Sequence, residues 1–161
     1  MHNAEYWINK LELSPHPEGG FYKEVYRAEE SISNSALPSR YSGDRSHATT
    51  IYFLLRSCDI SRLHRLKSDE IWYFHQGSPL ELSIIYPDGQ LETIPMSTDD
   101  NLQAVIPNNT WFGAKVLEED SYSLISCSVH PGFDFNDFEL ANKEELLAEY
   151  PQHKELIEEL G

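Results

Sequence analysis

From residue 49 to residue 129 the chain is a succession of short β-branched and aromatic runs, broken at near-regular intervals by turn-forming residues. The runs are TTIYFLLR, EIWYFH, LELSIIYP, LETIPM, LQAVIP, TWFGAKVL and YSLISCSV; between them stand QGSP, PDGQ, STDD, PNN and EEDS. β-Branched and aromatic side chains suit a pleated surface, whereas Gly, Pro, Asn and Asp favour turns. In PDGQ, proline presets φ and Asp-Gly supplies the left-handed position of a hairpin turn. Strands following one another this closely leave no room for crossover helices. They must pair antiparallel, in a sandwich or a barrel. A chain of 161 residues is long enough for one such domain with its own core and too short for two comfortable ones.

The flanks differ. NAEYWINKLEL predicts a short helix with Asn3 as N-cap and Tyr6, Trp7, Ile8 and Leu11 gathered on one side. SPHPEGG, residues 14–20, breaks it with two prolines and two glycines. FYKEVYRA then alternates as a strand, with Phe21, Lys23, Val25 and Arg27 on one face and Tyr22, Glu24 and Tyr26 on the other. Residues 29–47 are rich in Ser, Gly, Pro and charge and read as a long loop, of the kind that serves as a lid or a partner contact or stays disordered. At the other end, Asn142 caps a helix with Glu145 three residues on, and Pro151 opens a second one. Leu146, Leu147, Leu156, Ile157 and Leu160 give these helices an apolar stripe to lay against the outside of the β-unit. The division expected is one domain over 1–161, its barrel over about 20–135 and its C-terminal helices over about 142–160.

With 27 acidic residues against 12 Lys and Arg, the net charge of −15 excludes nucleic acid as a partner class, because phosphate binding needs a basic stripe. Arg56, Arg62, Arg65 and Lys67 are the only local basic cluster; they suit a small anion or simply solvated strand positions. No run approaches the ~20 apolar residues of a membrane helix, and no charged-then-apolar leader opens the chain. Cys58 and Cys127 are the only cysteines and lack CxxC spacing, which fits a reducing compartment, so the expected location is the cytoplasm.

HRLKSDEIWYFHQG, residues 64–77, is the densest polar and aromatic stretch. Even offsets share a strand face, so Glu70, Trp72 and Phe74 point one way and Tyr73 and His75 the other. His64 joins the first set if RLKSD turns tightly between paired strands. His64, Glu70 and Gly77 reproduce the spacing of the first cupin motif, G-x5-H-x-H-x3-E-x6-G, with Cys58 at the leading glycine and Leu66 at the second histidine. The second motif, G-x5-P-x-G-x2-H-x3-N, falls on residues 101–116 and keeps only Pro107. Asn101, Asn109, Phe112 and Val116 stand at its other positions, and Asn109 tolerates positive φ better than most residues. With HPEGGFYKEVYRAE, TIYFLL, PNNTWFGA and PGFDFNDFELA, the chain resembles a small single-domain cupin subgroup similar to the RmlC-like sugar epimerases of the rhamnose pathway. The resemblance spans roughly residues 5–160. It implies an all-β double-stranded β-helix, or jelly-roll barrel, with short terminal helices. It further implies a homodimer and a cavity lined by motif residues.

Metal-binding cupins use three histidines and a glutamate. Carried over, that set leaves His64 and Glu70 as metal ligands, because Leu66 and Phe112 cannot coordinate; Asp69, His75, His16, Glu18 or His130 would have to complete it. The pair has a metal-free use: a carboxylate beside an imidazole raises its pKa and fixes its tautomer, as proton transfer requires. The expected function is therefore a cavity enzyme, an isomerase or epimerase of a small polar or carbohydrate-like ligand, with His64 as general base and Glu70 orienting it or acting as its acid partner. Trp72, Phe74, Trp111 and Phe112 would form aromatic walls, Glu18 would stand at the cavity mouth, and Tyr52 or Tyr73 would return the proton. Two alternatives use the same cavity: a non-catalytic ligand binder, and a metal-dependent cupin enzyme holding a divalent cation with an incomplete ligand set.

Overall fold

Each turn signal named above ends a strand in the computed structural model, which describes all 161 residues. The chain order is α1 (Ala4–Lys10), β1 (Ser14–Pro15), β2 (Phe21–Arg27), β3 (Ser31–Ile32), β4 (Arg45–Ser46), β5 (Thr49–Arg56), β6 (Ile60–Arg65), β7 (Asp69–Gly77) and β8 (Leu80–Ile85). It continues β9 (Leu91–Met96), β10 (Gln103–Ile106), β11 (Trp111–Val116), β12 (Tyr122–His130), β13 (Glu139–Leu140), α2 (Lys143–Glu149) and α3 (Lys154–Leu160). β8 and β9 form the hairpin that PDGQ predicts, with Gly89 at φ 87°. Asn3 caps α1 by accepting from the Tyr6 amide at 2.9 Å, and Asn142 caps α2 by accepting from that of Glu145 at 3.2 Å.

The strands build a jelly roll of two antiparallel sheets, one ordered β1-β2-β5-β12-β7-β10 and the other β13-β6-β11-β8-β9. The main core lies between them. Phe53, Trp72, Phe74 and Ile125 from the first sheet meet Leu82, Ile84, Met96 and Phe112 from the second, all nearly inaccessible to solvent. Leu146, Tyr150, Ile157 and Leu160 of the C-terminal helices pack on the outer face of the second sheet, against Leu63, Ile85 and Trp111. No helix is long and apolar enough to cross a membrane.

Three local expectations are corrected. β6 and β7 are not paired neighbours: they lie in opposite sheets, so the turn joining them crosses the sandwich and His64 faces Glu70's sheet rather than sharing it. In β2 the register slips between Glu24 and Tyr26, leaving Val25 as an extra residue. That bulge moves Arg27 onto the face of Tyr22 and Glu24, opposite to simple alternation. Residues 29–47 are not a free loop. β3 pairs with β4, Tyr41 is buried, and the Arg45 guanidinium grips Asp137 at 2.7 and 2.8 Å with both side chains nearly inaccessible.

Candidate active site

Tyr22, Glu24 and Arg27 of β2, Thr49 and Ile51 of β5, Glu70 of β7, and Cys127 and Val129 of β12 line a cavity of about 460 Å³. His64 and Leu66 close it from the side of the second sheet, His16 and Glu18 from the segment before β2, and Phe133, Phe135 and Phe138 from the segment after β12.

Glu18 arrives through the backbone. Its carbonyl accepts from the Arg62 amide at 2.8 Å, tying the HPEGG segment to β6. The approach is so close that a Cβ on Gly19 would stand 2.0 Å from the Ile60 carbonyl oxygen, and Gly19 has φ 109°. Only glycine permits that path. The result is that Glu18 Oε2 lies 2.5 Å from His64 Nε2, with both side chains almost completely buried. His64 is thus paired with Glu18 and not with Glu70, which has no oxygen within 4.0 Å of the imidazole nitrogens.

One hydrogen bond fixes one of the two ring sites. His64 Nδ1 lies 2.6 Å from the Arg62 carbonyl oxygen, which can only accept, so Nδ1 carries a proton. Nε2 stands at ion-pair distance from a Glu18 carboxylate oxygen that has no well-aligned hydrogen-bond donor. Burial opposes charge on both, lowering the imidazole's pKa and raising the carboxyl's. The attraction of the partners outweighs it: His64 ends above the ordinary histidine value and Glu18 below the ordinary carboxylate value. They form a buried imidazolium–carboxylate pair. His16 Nδ1 accepts from the Glu18 amide at 3.1 Å, and burial lowers its pKa, so it stays neutral.

Glu70 behaves differently. It is buried, its Oε2 has no hydrogen-bond partner, and burial followed by the Glu18 charge pushes its pKa up to about 7, against the pull of His64. Cys127 beside it is raised well above the ordinary thiol value by burial and by Glu70 and Glu18, which keeps it neutral. The cavity therefore holds one carboxyl poised near neutrality and one stored proton.

The aromatic walls differ from those expected. Trp111 cannot share the cavity face with Phe112, because neighbouring strand residues point to opposite sides. It lies under the C-terminal helices with the Arg65 guanidinium 4.4 Å from its ring. Phe112 packs against the His64 ring, centroids 4.1 Å apart, as a buttress. Trp72 and Phe74 point inward as alternation predicts, but into the closed core rather than the cavity lining. Tyr22, Phe133, Phe135 and Phe138 take that place, with Phe133 and Phe135 packed edge to face at 4.9 Å. Tyr52 and Tyr73 do not line the cavity either; Tyr73 bonds Ser128 and Tyr52 sits beside His75. At the rim, Arg27 Nη2 bonds Glu24 at 2.6 Å and the Phe133 carbonyl at 3.0 Å. Nothing in the motif spacing signals Tyr22, Arg27 or the phenylalanines; the repeated Phe of PGFDFNDFELA is the only hint.

His64 and Glu70 do not fit a metal centre. Both His64 nitrogens are engaged, by Arg62 and Glu18, and Leu66 and Phe112 fill the neighbouring motif positions with hydrocarbon. Of the side chains expected to complete a set, Glu18 is paired with His64 and His16 accepts from the Glu18 amide, while the other three lie outside the cavity lining. Asp69 accepts from Asn108, and His75 and His130 bond Ser126 and Ser128. No group of three or more His, Cys, Asp and Glu is arranged to hold a metal ion.

Comparison with known proteins places this architecture. A family model described as "Cupin superfamily (DUF985)" matches residues 5–141. The structure of protein SO0799 from Shewanella oneidensis is similar with a TM-score of 0.90 at 41% identity, covering 100% of this chain and 98% of that one. A hypothetical protein from Leishmania major gives a TM-score of 0.90 at 36% identity, covering 99% of both chains. The Saccharomyces cerevisiae protein named "Uncharacterized protein YML079W" is 29% identical over 143 residues, covering 81% of this chain and 71% of that one.

Proposed function

The chain belongs to the DUF985 family of the cupin superfamily, and on that premise we propose that its cavity is the active site of an isomerase or epimerase of a small polar, carbohydrate-like molecule. The observation that carries this reading is Glu70: a buried carboxyl on the cavity wall whose Oε2 has no hydrogen-bond partner and whose pKa is pushed up to about 7, beside a buried ion pair that stores a proton. A general base works best with a pKa near the working pH.

In the reaction, ionised Glu70 removes the proton from a carbon next to a carbonyl. The C–H electron pair forms the new C=C bond, and the carbonyl electrons move to oxygen. The imidazolium proton of His64 passes through Glu18 to that oxygen, leaving neutral His64 bonded to Arg62 and ionised Glu18. Reversal at the neighbouring carbon yields the isomer. Reprotonation of the same carbon from the opposite face yields the epimer, with the phenol of Tyr22 on the cavity wall as its acid. Tyr22, Phe133 and Phe138 offer ring faces to a sugar. This assigns the base to Glu70 rather than His64, because the imidazole has no free nitrogen.

The test is solvent exchange. Aldoses, ketoses and nucleotide sugars that raise the melting temperature are incubated with the protein in D₂O, and deuterium at the acidic carbon is followed by NMR. Exchange is expected, and Glu70→Gln and Glu18→Gln should each lower it by roughly 10²-fold or more. Ligands that bind without exchange, or variants that exchange as fast as the native protein, would show the cavity to be a binding site only.

A further inference from the structure

The cavity is not the only recess. Arg40, Arg65, Leu66, Lys67, Asn108, Asn109, Asn136, Asp137, Phe138 and Glu139 line a polar groove of about 570 Å³. Leu66 and Phe138 also line the cavity, so these two side chains are the wall between them. We propose that this groove binds an oxyanion of the phosphate or carboxylate class.

Charge accounting supports an anion. Asp137 is neutralised from behind by Arg45, with oxygens 2.7 and 2.8 Å from the guanidinium, and Glu139 is neutralised by Arg65 at 2.8 Å. Asp69, near the rim, accepts from the Asn108 amide and side chain at 2.8 and 2.9 Å. Arg40 and Lys67 remain as cations with no carboxylate within 4.0 Å. Two unneutralised cations lining one groove are conspicuous in a chain of net charge −15, where acids outnumber bases by 27 to 12.

The site is also built in advance. Arg40 Nε donates to the Lys67 carbonyl at 2.7 Å, and its guanidinium lies over the Tyr41 ring at 4.9 Å, which leaves both terminal nitrogens for a ligand. The buried Tyr41 hydroxyl donates to the same carbonyl at 2.8 Å. Across the groove, the Asn109 amide donates to the Leu66 carbonyl at 2.9 Å, and Asn109 holds φ 61°. Both turns are thereby clamped to each other. A fixed guanidinium fork, an ammonium and three carboxamides are the donors that oxyanion recognition uses. The binding does not depend on the cavity's chemistry.

Titration with inorganic phosphate, followed through the side-chain amide signals of Asn108, Asn109 and Asn136 by NMR, tests it. Saturable shifts are expected, weakened roughly tenfold or more by Arg40→Gln combined with Lys67→Gln, the equivalent of losing one charge-assisted hydrogen bond. Both residues are surface positions, and an unchanged spectrum elsewhere shows that the variant folds. Acetate as a second titrant separates the sources: tighter phosphate marks a phosphoryl site, equal or tighter acetate a carboxylate site. Absence of saturable shifts with both, or equal affinity in the double variant, overturns the proposal.

Discussion

Glu70→Gln should make the protein more stable, and increasingly so as the pH rises. The native carboxyl is buried without a partner for Oε2 and has its pKa raised from 4.5 to about 7. In the unfolded chain the proton leaves near 4.5; in the folded chain it leaves near 7. Between those values the native state holds more protons than the unfolded one, so stability falls with rising pH. Each pH unit of that interval is worth about 1.4 kcal/mol, so ionising Glu70 in place costs the fold about 3 kcal/mol. Glutamine keeps the shape and removes the charge. The variant is therefore expected to match the native protein below pH 4.5 and to exceed it by about 3 kcal/mol above pH 7, or roughly 6–12 °C in Tm for a chain of this size. Urea unfolding of both proteins across pH 4–9 measures the difference. A gap that does not change with pH, or a variant less stable throughout, would refute the claim that Glu70 is a strained, near-neutral carboxyl. Together with loss of solvent exchange, the predicted gain would show a site that trades stability for reactivity.

Two further outcomes follow from the geometry. Gly19→Ala forces a Cβ to 2.0 Å from the Ile60 carbonyl in a left-handed backbone, so it should lower stability by about 2–3 kcal/mol and detach Glu18 from His64; the His64 ring signals should then titrate at lower pH in an NMR series. Arg45→Ala leaves Asp137 buried without its partner and should cost about 3–5 kcal/mol in urea unfolding, whereas Arg45→Met combined with Asp137→Leu should recover most of it.

The β-architecture was legible because its signals are local. Period-two alternation places Glu70, Trp72 and Phe74 inward, and the turn residues cut the strands where they end. ISRLHR was less legible as β6, because two arginines and a serine interrupt its apolar residues. The same alternation that succeeded for β7 excludes Trp111 and Phe112 from one face. The other misses are non-local. Nothing in FYKEVYRA marks the bulge that brings Arg27 to the cavity, because the slip is set by pairing with β5. The Glu18–His64 contact depends on a backbone hydrogen bond between segments far apart in sequence, and PEGG reveals only that the chain can turn tightly there. Residues 29–47 have loop composition, yet Arg45 and Tyr41 anchor them through partners that composition cannot show.

The departures from the cupin motif then become mutually consistent. Where that motif would set two more histidines, Leu66 and Phe112 supply hydrocarbon, and Phe112 braces the His64 ring at 4.1 Å. A histidine so enclosed needs a countercharge, and Glu18 supplies it from the segment that Gly19 lets approach β6. In a metal-loaded barrel the cation holds a carboxylate ionised in the interior; here a proton on His64 does so for Glu18. Burial and the nearby Glu18 charge push the Glu70 carboxyl up to about 7, against the pull of His64. Proton occupancy therefore sets the charge state of this cavity, and the pH dependence of Glu70→Gln measures the consequence directly.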